Sequence, residues 1–126
     1  MVLIIGGAYN GKLTYALENF GLSKSDCIDL AAEEQDRAAE FMCAYHLEAL
    51  TRCAAENGKT TEEVLAVLAT LDPNAVIISR EIGSGVVPID KIERAWRELH
   101  GEVLRVLARR AESVIRVFYG IAEVLK

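Results

Sequence analysis

The residues best suited to chemistry stand at the front of the chain. Gly6-Gly7-Ala8-Tyr9-Asn10-Gly11-Lys12 follows the apolar run of residues 2–5. It satisfies Gly-x(4)-Gly-Lys, a spacing in which the backbone N–H groups of a glycine turn ring a phosphate and a lysine reaches it. The Ser or Thr that would come next, whose hydroxyl ligates Mg2+, is replaced by Leu13. Thr14 carries a hydroxyl one residue on, but a helix turns about 100° per residue and takes it elsewhere. A second polar cluster, Arg80-Glu81-Ile82-Gly83-Ser84-Gly85, follows another apolar run. Arg80 reads either as a phosphate contact or as the partner of Glu81 or another carboxylate in a salt bridge. Glu81, Gly83 and Gly85 read either as a ligand loop or as a turn that needs positive φ. Asp29 reads as a turn or N-cap acid.

These residues need elements to hold them. Residues 2–5 predict a buried strand, residues 12–20 a helix ended by Gly21, and residues 26–30 a short second strand. Residues 31–56 predict one long helix, with Ala38, Phe41, Met42, Tyr45, Ala49 and Cys53 as its apolar stripe. On that helix Cys43 and His46 fall three apart, a spacing read as packing more than as metal binding. Thr60 and Glu63 predict a capping box, with Val64, Leu65, Val67, Leu68 and Leu71 facing inward. Residues 75–79 predict a central parallel strand, because the apolar run hardly alternates. Residues 89–110 predict a helix with Trp96 and Leu99 among its core residues and His100 as a surface or packing side chain. Residues 113–119 and 121–125 predict strands hinged at Gly120 as an edge hairpin. The order βαβααβαββ predicts an α/β domain spanning residues 1–126. Its sheet is mostly parallel, flanked by helices on both faces, with ligands beyond the carboxyl ends of the strands.

Composition narrows the classes. Of 126 residues, 52% are hydrophobic, enough for a substantial core, and the net charge of −5 argues against a nucleic-acid partner. No apolar run reaches the roughly 18 residues of a membrane span, and the start lacks a basic n-region. Cys27, Cys43 and Cys53 lack zinc-type spacing and read as thiols of a reducing cytoplasm.

Three further stretches carry a family resemblance. Residues 76–88, Val-Ile-Ile-Ser-Arg-Glu-Ile-Gly-Ser-Gly-Val-Val-Pro, resemble the strand and loop Asn-Glu-Val-Gly-x-Gly-[Ile/Val]-Val-Pro of the adenosylcobinamide kinase / adenosylcobinamide-phosphate guanylyltransferase family. Arg94-Ala95-Trp96-Arg97-Glu98-Leu99-His100-Gly101 is similar to its Arg-x-[Phe/Trp]-Arg-[Asp/Glu]-x-x-Gly. The C-terminus Gly120-Ile121 to Leu125-Lys126 and the front Ile4-Ile5-Gly6-Gly7-Ala8 with Gly11-Lys12 match too. The resemblance implies a P-loop NTPase-like fold and a homo-oligomer. It implies phosphorylation of a corrinoid with ATP or GTP and Mg2+, followed by guanylyl transfer through a histidine. On that alignment Asp29 takes the place of a metal-binding acid, Lys12 acts on the phosphates, and residues 6–13, Arg80, Glu81 and Gly83 line the nucleotide site. The chain departs from the family at Tyr9-Asn10, Leu13, Arg80 and Leu104-Arg105, and it is shorter by roughly fifty residues. The guanylylated histidine then has no counterpart. His46 lacks the flanking pattern and is not given that role.

Overall fold

The computed structural model describes residues 1–7, 11–32, 35–82 and 90–126, with the backbone alone for Gln35. Its elements are β1 (Val2–Gly6), α1 (Lys12–Asn19), β2 (Cys27–Asp29), β3 (Cys43–Tyr45), α2 (Leu47–Glu56), α3 (Thr61–Leu68), β4 (Val76–Arg80), α4 (Lys91–Arg110), β5 (Ser113–Phe118) and β6 (Ile121–Val124). Six strands form one sheet in the order β2-β3-β4-β1-β5-β6. All neighbours are parallel except β5 and β6, which pair antiparallel through a turn at Tyr119 and Gly120. Both turn residues have positive φ, 50° and 77°, as a two-residue hairpin requires.

Strand alternation sorts the core into two layers. Leu3, Ala44, Ile77 and Val114 face Leu47 and Leu50 of α2, Val64 and Leu68 of α3, and Leu99, Val103 and Leu107 of α4. Ile4, Cys43, Ile78, Ile115 and Val117 face the other way, where α1 contributes Ala16. Both faces carry helices, as read from the sequence, and three of the four share one face. α1 therefore leaves β1 on one face while α4 leaves β4, its neighbour, on the other. A crevice opens between such strands at their carboxyl ends.

The long helix over residues 31–56 is not formed. In its place are a 3-10 turn (Gln35–Glu40), β3, and α2 beginning at Leu47. The apolar stripe was a coincidence of spacing: Met42 and Cys53, two of its members, are exposed. Cys43 and Ala44 are fully buried between β2 and β4. Central pairing overrides local propensity there. His46, at φ 62°, turns the chain from strand to helix, so Cys43 and His46 do not share a helix face. Capping at Thr60 and Glu63 is as read, and Asp90 caps α4 by accepting from the N–H groups of Ile92 (2.8 Å) and Glu93 (3.0 Å).

Candidate functional site

β1 delivers the glycine turn to the carboxyl edge of the sheet, between β4 and β5. Gly6 has φ 155°, and a Cβ there would collide with the backbone carbonyl oxygen of Val117 on β5. Only glycine lets the end of β1 lie so close to its neighbour. Gly11 sits at φ 79° as the residue preceding α1. Ala8, Tyr9 and Asn10 lie outside the described residues, as does Gly83.

Lys12 begins α1, and its ammonium donates to the Gly7 carbonyl at 2.6 Å. It forms no ion pair with any described residue. Its pKa is lowered, first by burial and also by Arg80, against opposing pulls from Glu48 and Glu81. Half-buried, it borders a cleft of about 770 Å³ with Arg80, Asp29, His46, Glu48 and Trp96. Leu13 and Thr14 border it too, Thr14 exposed.

The Arg80–Glu81 salt bridge is not made. The Glu81 carboxylate pairs instead with Arg116 of β5 at 3.2 Å, while its N–H donates to the Gly6 carbonyl at 3.0 Å. Glu81 thus ties β4 to β1 and β5 and is not among the cleft's lining residues. Arg80 is left without an ion pair among the described residues and lines the cleft.

Two residues assigned no site role from the sequence hold the end of β4 against α2 and α4. Glu48, only 8% exposed, stands in the first turn of α2, and its Oε2 accepts from the Arg80 N–H at 3.1 Å. His100 of α4 is fully buried and bridges α2 to the end of β4. Its Nε2 lies 3.0 Å from the Arg80 carbonyl, which can only accept, so Nε2 carries the hydrogen. Its Nδ1 then accepts from the Thr51 hydroxyl at 2.8 Å. Thr51 Oγ1 in turn accepts from the Trp96 indole at 3.0 Å, which also reaches the Glu48 carbonyl. Ser79 Oγ, 3.1 Å from Nε2, donates to the Arg80 carbonyl. Both ring nitrogens of His100 are thus paired, and burial lowers its pKa, keeping the ring neutral. Trp96, read as core, is half-buried at the cleft wall, with the Arg52 guanidinium 5.2 Å from its ring. A residue at helical core spacing conceals such a role. Glu48 was hidden because the start of α2 was.

Asp29 ends β2 beside Tyr45, its register partner on β3. Its Oδ1 accepts from the Ala31 N–H at 2.9 Å, the turn-acid role, and lies 2.7 Å from His46 Nδ1. As a site for Mg2+ the described residues do not suffice. No group of three or more His, Cys, Asp or Glu converges. Asp29 Oδ1 has two donors, Glu48 Oε2 has one, and Leu13 brings no hydroxyl. No helix among the described residues is long and apolar enough to cross a membrane.

A mostly parallel sheet with a glycine turn and lysine after its central strand defines an α/β protein of the P-loop fold class. The family model for cobinamide kinase / cobinamide phosphate guanyltransferase matches residues 38–125, which is 88 of the 126 residues. The chain therefore belongs to that family. The match takes in Arg80, Glu81, Glu48 and His100 and stops short of Gly6–Lys12 and Asp29. No curated protein matches the chain.

Proposed function

We propose that this protein binds a nucleoside triphosphate at the carboxyl edge of β1 and β4 and transfers its terminal phosphoryl group to a hydroxyl of a corrinoid. The observation that carries the reading is Lys12. A half-buried ammonium at the end of a glycine turn is held by one backbone carbonyl and, among the described residues, by no carboxylate. Such a cation suits an anion that arrives from outside. Arg80, similarly without an ion pair among the described residues, is the second phosphate ligand and supplies charge that Leu13 does not recruit through a metal. Catalysis would be positioning and charge stabilisation: Lys12 and the turn's N–H groups meet the charge that builds on the transferred phosphoryl group. Mg2+ would arrive on the phosphates, since the described residues offer no cage of their own, and the metal role read for Asp29 gives way to its contact with His46.

The guanylyl-transfer half of the family's activity is, on this reading, absent. The resemblance places the histidine segment between α1 and β2, where this chain has only residues 20–26. ATP and GTP are both candidates. Self-association would use the apolar hairpin, where Tyr119, Ile121 and Val124 are exposed. A second reading, a binding module without turnover, draws on Leu13 and on the engaged oxygens of Asp29 and Glu48.

The test is titration calorimetry with ATP, GTP and GDP, with and without Mg2+, on the wild type and Lys12→Ala. Cobinamide phosphorylation is assayed in parallel. Micromolar binding that Lys12→Ala abolishes, together with turnover, is expected. Binding without turnover selects the second reading. No binding by the wild type removes both.

A further inference from the structure

One pair of cleft side chains is not used by phosphate recognition. Asp29 and His46 come from the ends of adjacent parallel strands, β2 and β3, at the edge of the sheet where the glycine turn also lies. The Asp29 carboxylate can only accept, so at 2.7 Å the His46 Nδ1 must carry the hydrogen. In the neutral ring the lone pair then lies on Nε2, which makes no hydrogen bond to any described residue. The ring borders the same cleft as Lys12 and Arg80. Its place is over-determined: the Tyr45 ring meets it edge to face at 4.8 Å, and its backbone is held at φ 62° and ψ 43°, a region that costs a non-glycine residue energy. An exposed ion pair does not offset such strain, since surface pairs contribute little. Strain of this kind collects where a side chain must be aimed. A carboxylate fixing an imidazole at the border of a substrate-sized cleft, with its second nitrogen unengaged by any described residue, is the arrangement of a general base.

We propose that His46 is the general base for the acceptor hydroxyl, with Asp29 as its positioning residue. The inference rests on the phosphoryl-transfer reading above. The acceptor is an aliphatic alcohol. Its O–H proton passes to His46 Nε2 as its oxygen forms a bond to the terminal phosphorus. The bond from that phosphorus to the bridging oxygen breaks, and the nucleoside diphosphate leaves with the electron pair. The imidazolium, stabilised by Asp29, returns the proton to water. Lys12 and Arg80 hold the nucleotide, and the Asp29–His46 pair activates what attacks it.

The experiment follows phosphoryl transfer from γ-labelled ATP and GTP to cobinamide by the wild type, His46→Gly and Asp29→Asn, with nucleotide affinity measured on each. Glycine suits φ 62°, so His46→Gly keeps the backbone and leaves room for a small base. The rate is expected to fall about 10²–10⁴-fold in His46→Gly at unchanged nucleotide affinity, and to recover at least about tenfold in added imidazole. Asp29→Asn loses rate without loss of affinity, and imidazole does not rescue it. A His46→Gly rate within about threefold of wild type, or a slow variant that imidazole leaves slow, overturns the base and leaves the kinase reading standing. A wild type that binds nucleotide and never transfers it overturns both readings of the reaction while sparing the nucleotide site.

Discussion

Replacing Gly6 with alanine isolates the demand that the glycine turn makes on the sheet. The added Cβ would lie inside the 3.0 Å limit that real Cβ atoms keep, and the atom it meets is the backbone carbonyl of Val117 rather than a side-chain tip that could swing away. β5 cannot yield cheaply, because it is paired to β1 on one side and to β6 on the other. Two costs add. Holding a non-glycine residue at φ 155° costs roughly 1–3 kcal/mol. Forcing an extra carbon into a closed contact costs a further 1–3 kcal/mol or so. The sum, about 2–6 kcal/mol, is a large share of the roughly 5–15 kcal/mol that stabilises a domain. Gly120→Ala is the control. Gly120 also has positive φ, 77°, but open space around it, so only the conformational cost remains, about 1–2 kcal/mol. Urea unfolding of the two variants measures the difference directly. Gly6→Ala is expected to lose about 1–3 kcal/mol more than Gly120→Ala, the cost of the closed contact, and its nucleotide binding with it. Equal losses would refute the argument that close approach to β5 is what selects glycine at position 6.

Lys12→Met is expected to raise the thermal midpoint while abolishing nucleotide binding, because burial already works against the charged form. A lower midpoint would show that the Gly7 contact outweighs desolvation. The sign for His100 is set by its lowered pKa. The unfolded chain binds a proton below about pH 6.5 and the folded chain does not, so stability is full above that pH. It falls as the pH drops toward the folded value, with a slope of at most about 1.4 kcal/mol per pH unit. Urea midpoints between pH 7 and 5 should show this slope, and His100→Gln should flatten it. Arg80→Ala should weaken triphosphate binding by about 10–100-fold, the worth of one charge-assisted contact. Arg116→Ala, which breaks the pair with Glu81 and the contact with the Phe118 ring, should change binding by less than about threefold on calorimetry. A comparable loss in both would remove Arg80 from the phosphate site.

The sequence by itself determined the features whose signals are local. The glycine turn between an apolar strand and a helix, the capping box at Thr60, the hairpin at Gly120 and the apolar run of β4 all report on neighbours a few residues away. Backbone conformation and burial leave direct marks on residue type at such places. The family resemblance in residues 76–88 and 94–101 was legible for the same reason. Tertiary structure decided the rest. β3 is three residues long and exists because β2 and β4 flank it, so nothing in residues 43–45 outweighed an accidental helical stripe. With β3 misread, Asp29 and His46 stood on separate elements with no reason to meet, although parallel pairing sets their side chains 2.7 Å apart. Glu48, Thr51, Trp96 and His100 likewise come from two helices, and the pairs that bond across them lie 45 to 49 residues apart in the chain. Their hydrogen bonds arise only when α2 and α4 pack on one face of the sheet. Charge partners follow the same rule: Arg80 and Glu81 are adjacent in sequence, but an extended strand sends neighbouring side chains to opposite faces, so Glu81 meets Arg116 and Arg80 lines the cleft.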